Sequence, residues 1–152
     1  MRAMSVFIFV ALGTFIIDQN IKVLFVEGYY RAGSCIDLEL HYNKGVAFSM
    51  FAFVGPYLKW IQSILILGIL YYVFSEGYLK RYAFPIGLLI GGALGNVYDR
   101  FIHEGVVDYI AWHCGFNFAV FNYADVAIDL AVVWILVMVY FFPDPEEEKS
   151  EK

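Results

Sequence analysis

The sequence predicts an all-α integral membrane protein: four transmembrane helices, with a small extracytoplasmic β-rich element in the first outer connection. Three observations lead there. Of the 152 residues, 61% are hydrophobic and only 16% charged, against ~45–50% and ~25% in a soluble domain. The apolar residues gather into four stretches, roughly 3–26, 53–75, 82–100 and 121–142, close to the ~20 residues needed to cross a ~30 Å hydrocarbon core. Between the first two, Ile36-Asp37-Leu38-Glu39-Leu40-His41-Tyr42 alternates apolar and polar residues, the period of a half-buried strand or hairpin lying on the membrane surface. A chain of this length makes one domain, 1–152.

The first stretch is interrupted by Asp18 and Lys22 and is followed by no small-residue cleavage site. It therefore reads as a retained span, not a signal peptide. Arg31-Ala32-Gly33-Ser34-Cys35 loosely resembles a lipid-attachment site, but Glu27 and Arg31 stand where an apolar run should lead into the cysteine. The second stretch carries Pro56, suited to a first helical turn. A short link, 76–81, makes the second and third spans antiparallel neighbours. In the third, Gly87, Gly91 and Gly95 recur every four residues, a spacing that lets membrane helices approach closely. A phosphate loop is excluded there, because the Gly-Lys-Ser/Thr ending and preceding strand are missing. The fourth stretch stops at Pro143 and Pro145, before an acidic tail, 143–152, that reads as a solvated end.

Four spans put both termini on one side. Arg2, Lys80 and Arg81 bias that side toward the cytoplasm, against Arg31, Lys44 and Lys59 on or near the other. The connections 27–52 and 101–120 then share the outer face. Net charge is −5 and no basic stripe exists, so nucleic acid is not an expected partner. Cys35 and Cys114 form no metal-type spacing, and His41, His103 and His113 have no i, i+4 partner; no metal or cofactor is expected. The redox state of the two cysteines stays open.

Ionisable side chains in or beside apolar spans are the feature that needs explaining: Asp18, Lys22, Asp99, Arg100, Asp125 and Asp129. Each costs at least ~2.5–3.5 kcal/mol at the membrane centre, so such residues mark sites, pathways or buried pairs. The topology brings Asp18 and Lys22, then Asn96, Asp99 and Arg100, then Asn122 and Asp125 to one level. Asn43 and Asp108 lie in the two outer connections. Asp18 and Lys22, spaced i, i+4 with the acid first, form a helical ion pair, serving either packing or substrate contact. Asn96 and Arg100 share a face, and Arg100 either binds an acidic group or pairs with Asp99 or another carboxylate.

Asp108 and Asp125 carry the sharper hypothesis. Two aspartates close together in a low-dielectric site share one proton, so that one activates water while the other protonates the leaving group. Such a pair hydrolyses a peptide bond without metal or covalent intermediate. The alternative makes Asp108 a loop residue and Asp125 a helix cap. Two non-enzymatic readings also stand: a transporter or channel subunit relaying protons through Asp18, Asp125 and Asp129, or a structural adaptor whose charges are packing pairs.

Five segments in order resemble the lipoprotein signal peptidases, or signal peptidase II: Asp18-Gln19-Asn20-Ile21-Lys22, Asn43-Lys44-Gly45-Val46-Ala47-Phe48, Gly91 to Arg100, Val106-Val107-Asp108-Tyr109-Ile110, and Phe121-Asn122-Tyr123-Ala124-Asp125. The resemblance covers most of the chain. It implies a bacterial inner-membrane aspartyl endopeptidase, with its active site at the outer face, that cuts diacylglyceryl-modified prolipoproteins just before the lipidated cysteine. It implies Asp108 and Asp125 as the catalytic pair, Asn43, Gly45, Asn96, Arg100 and Asn122 as substrate-binding, and Asp18, Lys22 and Asp99 as supporting. Membrane lipid and prolipoprotein are the expected partners, and a monomer the expected state. Two departures stand out: Tyr109 where phenylalanine is common, and Asp129, an added carboxylate one turn beyond Asp125.

Overall fold

The computed structural model describes residues 1–45, 54–103 and 105–143. Most of the acidic tail, and Val46 to Phe48 of the second motif, lie outside them. Helix α1 (Arg2–Val26) is followed by strand β1 (Ile36–Asn43), α2 (Gly55–Ser75), α3 (Leu79–Ile102), β2 (Val106–Trp112) and α4 (Tyr123–Phe141). The helices fall on the four apolar stretches. Pro56 sits in the first turn of α2, as its fixed φ favours. Helix α3 starts three residues earlier than expected, so Lys80 and Arg81 belong to its first turn; the link is only 76–78, with Gly77 at a φ of 70°. Tyr82 departs from helical geometry just before Pro85, whose missing N–H loosens that turn.

Helices α1, α2 and α4 are long and apolar enough to cross a membrane. Their outward faces carry exposed Phe9, Leu12, Ile64, Leu67, Leu130 and Val133, an apolar surface of the kind that suits a hydrocarbon environment. Helix α3 differs: Lys80, Arg81, Asn96, Asp99 and Arg100 dilute its apolar character. It lies at the centre of the bundle, packed by α1, α2 and α4, and this enclosure lets it carry polar groups.

The glycine stripe makes that packing close. A methyl group on Gly87 would meet Val10, one on Gly91 would meet the Ala11 carbonyl, and one on Gly95 would meet the Asp18 carboxylate. Gly92, on the opposite side of α3, approaches the Ala124 carbonyl of α4 in the same way. The expected close approach of helices is therefore made on two faces.

The β element is larger in reach than the sequence implies. Among the described residues, strand β1 folds back within the first connection at a single antiparallel bridge, Leu38 with Arg31. It pairs antiparallel with β2 from the second connection, His41 opposite Asp108 and Asn43 opposite Val106, with a register irregularity between Leu38 and His41. Asp108 thus stands on a strand and not in a loop. A disulfide joins Cys35 to Cys114 beside the sheet, and the His113 N–H donates to the Cys35 carbonyl at 2.9 Å.

The packing makes a direct test. A Cβ on Gly91 comes within 2.5 Å of the Ala11 oxygen and 2.7 Å of Thr14 Cβ, whereas one on Gly68 meets nothing within 4 Å. Gly91→Ala should cost about 1–3 kcal/mol of stability, while Gly68→Ala should be neutral or slightly stabilising in a helix interior. Thermal unfolding of both variants in detergent checks the difference.

Candidate active site

The site rests on a buried charge cluster between α1 and α3. The i, i+4 spacing puts Asp18 and Lys22 on the α1 face turned to α3, and both are almost wholly buried. The Lys22 ammonium lies 2.8 Å from Asp18 Oδ2 and 2.7 Å from Asp99 Oδ2, and it donates to Asn96 Oδ1 at 3.0 Å. Its three N–H donors thus meet three acceptors. Gln19 Nε2 closes the cluster, donating to Asp18 Oδ2 at 3.1 Å, Asp99 Oδ1 at 3.0 Å and the Gly95 carbonyl at 3.3 Å.

The two carboxylates reach onward to backbone. The Val107 N–H, at the start of β2, donates to Asp99 Oδ2 at 3.1 Å. The Ala124 N–H, in the first turn of α4, donates to Asp18 Oδ1 at 3.2 Å. Each of these residues is adjacent in sequence to a candidate catalytic aspartate, so the cluster fixes the two segments that bear them. Asp18, Lys22 and Asp99 are supporting residues in this sense.

Above the cluster, three asparagines tie the aspartates together. Asn122 is the N-cap of α4: its Oδ1 accepts from the Asp125 N–H at 2.9 Å, and Asp125 Oδ2 accepts from the Asn122 N–H at 3.1 Å, a reciprocal capping box. The Asn122 Nδ2 donates to Asp108 Oδ1 at 2.7 Å and to Asn96 Oδ1 at 3.1 Å. Asn96 Nδ2 donates to Asp125 Oδ1 at 2.8 Å, and Asn43 Nδ2 donates to Asp108 Oδ2 at 3.0 Å. Asp125 is therefore a helix cap and also a wall of the same cavity as Asp108. That cavity, of about 330 Å³, is lined as well by Asn43, Asn96 and Arg100.

Arg100 pairs with neither Asp99 nor Asp18. Its Nη2 donates to the Gly45 carbonyl at 2.6 Å and its Nη1 to the Asn96 carbonyl at 3.3 Å. The Gly45 N–H in turn donates to Asn43 Oδ1 at 3.0 Å. The guanidinium thus clasps the end of β1 onto α3 while keeping one side on the cavity. Tyr109, the departure noted above, accepts from the Tyr123 N–H at 3.0 Å and stacks on Phe25 at 4.2 Å, tying β2 to α1 and α4. Burial pushes its phenol pKa up, so the hydroxyl stays neutral.

Burial, reinforced by the neighbouring Asp125 carboxylate, raises the Asp108 pKa from 3.8 to about 6, against the opposing hydrogen bonds from Asn43 and Asn122. A carboxyl group titrating there is available as acid or base near neutral pH. Two residues escape the sequence reading: Gln19 of the network, whose signal is a costly amide in an apolar span, and Gln62 of α2, a second such amide, which lines the cavity. Among the described residues, no group of three histidine, cysteine or carboxylate side chains is arranged to hold a metal ion.

The family described as Signal peptidase (SPase) II matches residues 10–141. The lipoprotein signal peptidase of Sulfurovum sp. (strain NBC37-1) is 80% identical over 94% of this chain and 98% of its own length. That of Sulfurimonas denitrificans is 59% identical over 90% of this chain and 89% of its own. A solved structure described as a bacterial membrane enzyme superposes with a TM-score of 0.75 at 27% identity, covering 88% of this chain and 86% of the other. The chain belongs to the signal peptidase II family. It is a membrane protease that removes signal peptides from prolipoproteins.

Two measurements check the site's physics. Lys22→Met leaves two buried carboxylates facing each other without their cation, so it should lose about 3–5 kcal/mol, seen as a large drop in melting temperature. For Asp108 the folded pKa lies above the unfolded 3.8, at about 6. Stability from this group is therefore full below pH 3.8 and lost as pH rises through about 6. Asp108→Asn removes that dependence. Its stability relative to wild type should grow by about 3 kcal/mol between pH 4 and pH 7, measured by unfolding across that range.

Proposed function

We propose that Asp108 and Asp125 are the catalytic pair of this signal peptidase, acting on diacylglyceryl-modified prolipoproteins and cutting before the lipidated cysteine. The carrying observation is that Asn122 bonds both: its amide donates to Asp108, and it shares a capping box with Asp125 on the wall of the same cavity. One carboxylate accepts a proton from water as the water oxygen attacks the scissile carbonyl carbon. The other, protonated, donates to the carbonyl oxygen. Collapse of the tetrahedral intermediate breaks the C–N bond, and the amine leaves with a proton returned from the first carboxyl group. Asn43 and Asn96, donating to the two aspartates, hold the reacting oxygens in place. Arg100, on the cavity wall, positions the substrate backbone, while Gly45 and the buried Asn122 hold Arg100 and the two aspartates in place. Nothing in this scheme asks for a second subunit, and we assign the activity to the monomer within membrane lipid.

In this reading α3 also spans the membrane, giving four spans with both termini in the cytoplasm and the sheet outside. Enclosure of α3 by three apolar helices supports it. So does the Cys35–Cys114 disulfide beside the sheet, since such bonds persist on the oxidising side of the membrane.

Asp108→Asn and Asp125→Asn should each abolish cleavage of a purified diacylglyceryl prolipoprotein in a gel-shift assay, with insertion and folding retained. The wild-type rate should survive excess chelator. Turnover by either variant, or zinc-restorable loss on chelation, would overturn the carboxylate-pair mechanism. Reporter fusions after residue 78 and at the C-terminus should both report cytoplasm, and an external C-terminus would refute the four-span topology.

A further inference from the structure

Two polar side chains on the cavity wall take no part in the network that binds the aspartates. Gln62 projects from α2 and Asp129 from α4, and both line the cavity that holds Asp108 and Asp125. The Gln62 Oε1 is buried and has no hydrogen-bond partner among the described residues. A buried polar atom without a partner calls for a ligand or another explanation. Asp129 is an exposed carboxylate on the apolar helix α4, and a carboxylate at membrane depth marks a site. It lies one helical turn from Asp125 on the same face, about 6 Å further along α4 and away from the sheet. The cavity therefore continues from the catalytic pair toward the membrane interior, with the Gln62 carboxamide and the Asp129 carboxylate along that extension; a turn of the Gln62 amide brings its oxygen to the cavity.

We propose that Gln62 and Asp129 form an acceptor subsite for backbone N–H groups of the signal peptide, on the membrane side of the cleaved bond. The proposal rests on the assignment of Asp108 and Asp125 as the catalytic pair. A signal peptide crosses the membrane as a helix, and its backbone N–H groups are satisfied internally. To be cut it must unwind at the cleavage point. The freed N–H groups then lie at membrane depth, where water is lacking and unwound backbone is tolerated only against protein partners. Two acceptors at that depth meet this need. The ionised Asp129 carboxylate, an acceptor only, does not suit the acyl ester groups of the substrate, whose carbonyl oxygens are themselves acceptors. The subsite thus favours the peptide and leaves the acyl chains to apolar surface elsewhere.

The test uses the purified full-length enzyme and a synthetic diacylglyceryl prolipopeptide. Three analogues of the peptide each carry one backbone N-methyl group at one of the three residues preceding the lipidated cysteine. In the wild type at least one analogue should raise KM about fivefold, the effect of one lost hydrogen bond, with kcat little changed. Gln62→Leu and Asp129→Ala should raise KM for the unmodified peptide by a similar factor, and at least one should show no further penalty on that analogue. Asp129→Asn, which keeps an acceptor oxygen, should recover most of the affinity lost in Asp129→Ala; a merely structural loss of charge would not be rescued in this way. Unchanged KM in both Gln62→Leu and Asp129→Ala would overturn the subsite, as would an N-methyl penalty that persists in full in both. Failure of the underlying catalytic assignment reads differently, as cleavage by Asp108→Asn or Asp125→Asn.

Discussion

A single ammonium group in the middle of the bundle governs the geometry of this enzyme. Lys22 meets Asp18, Asp99 and Asn96 at once. Two of those partners continue to the backbone of β2 and α4, one residue short of Asp108 and Asp125. The two proposed catalytic carboxyl groups therefore inherit their placement from charges beneath them. Burying these groups is costly, and the arrangement holds only because nearly every donor and acceptor is matched. The glycine stripe belongs to the same device. Gly95 has no side chain because the Asp18 carboxylate occupies that space. Close helix approach and charge burial are one constraint seen from two sides.

Above that base, the protein uses asparagine where it needs to hold an aspartate without altering the charge of the site. A carboxamide donates to a carboxylate on one side and accepts on the other, so Asn122 and Asn96 can stand in a chain between Lys22 and the two aspartates. Their donated bonds favour the ionised form of a carboxyl group, while burial and the second aspartate favour the neutral form. For Asp108 the balance settles near the middle of the physiological range. A lysine in place of Asn43 would hold the same oxygen but would tip that balance toward permanent ionisation.

Much of this was legible in the sequence. Helix positions follow from four apolar stretches, and the role of Gly87, Gly91 and Gly95 follows from their spacing. The pairing of Asp18 with Lys22 is a local, i, i+4 matter. Asp108 and Asp125 were visible as candidates, but spacing alone could not separate a dyad from a loop residue and a cap, and only the ordered motifs tipped the choice. Asp125 in fact caps α4 and faces the cavity together. What the sequence could not carry was long-range pairing. The period of residues 36–42 announces a strand but not its partner, which lies some 65 residues on. Arg100 shows the same limit: its partners are backbone carbonyls, and backbone acceptors leave no mark in a sequence. Gln19 and Gln62 stand out less, because a neutral amide in an apolar span is a weaker signal than a charge.

The sheet and its disulfide carry a consequence for the order of events in the life of the chain. Strand β1 leaves the ribosome long before β2, and Cys35 must wait for a cysteine 79 residues later. Until then Asn43 has no Asp108 to hold, and α4, which brings Asp125, does not exist. With Asp108 and Asp125 as the proposed pair, the growing chain holds no complete site until its last helix is in place.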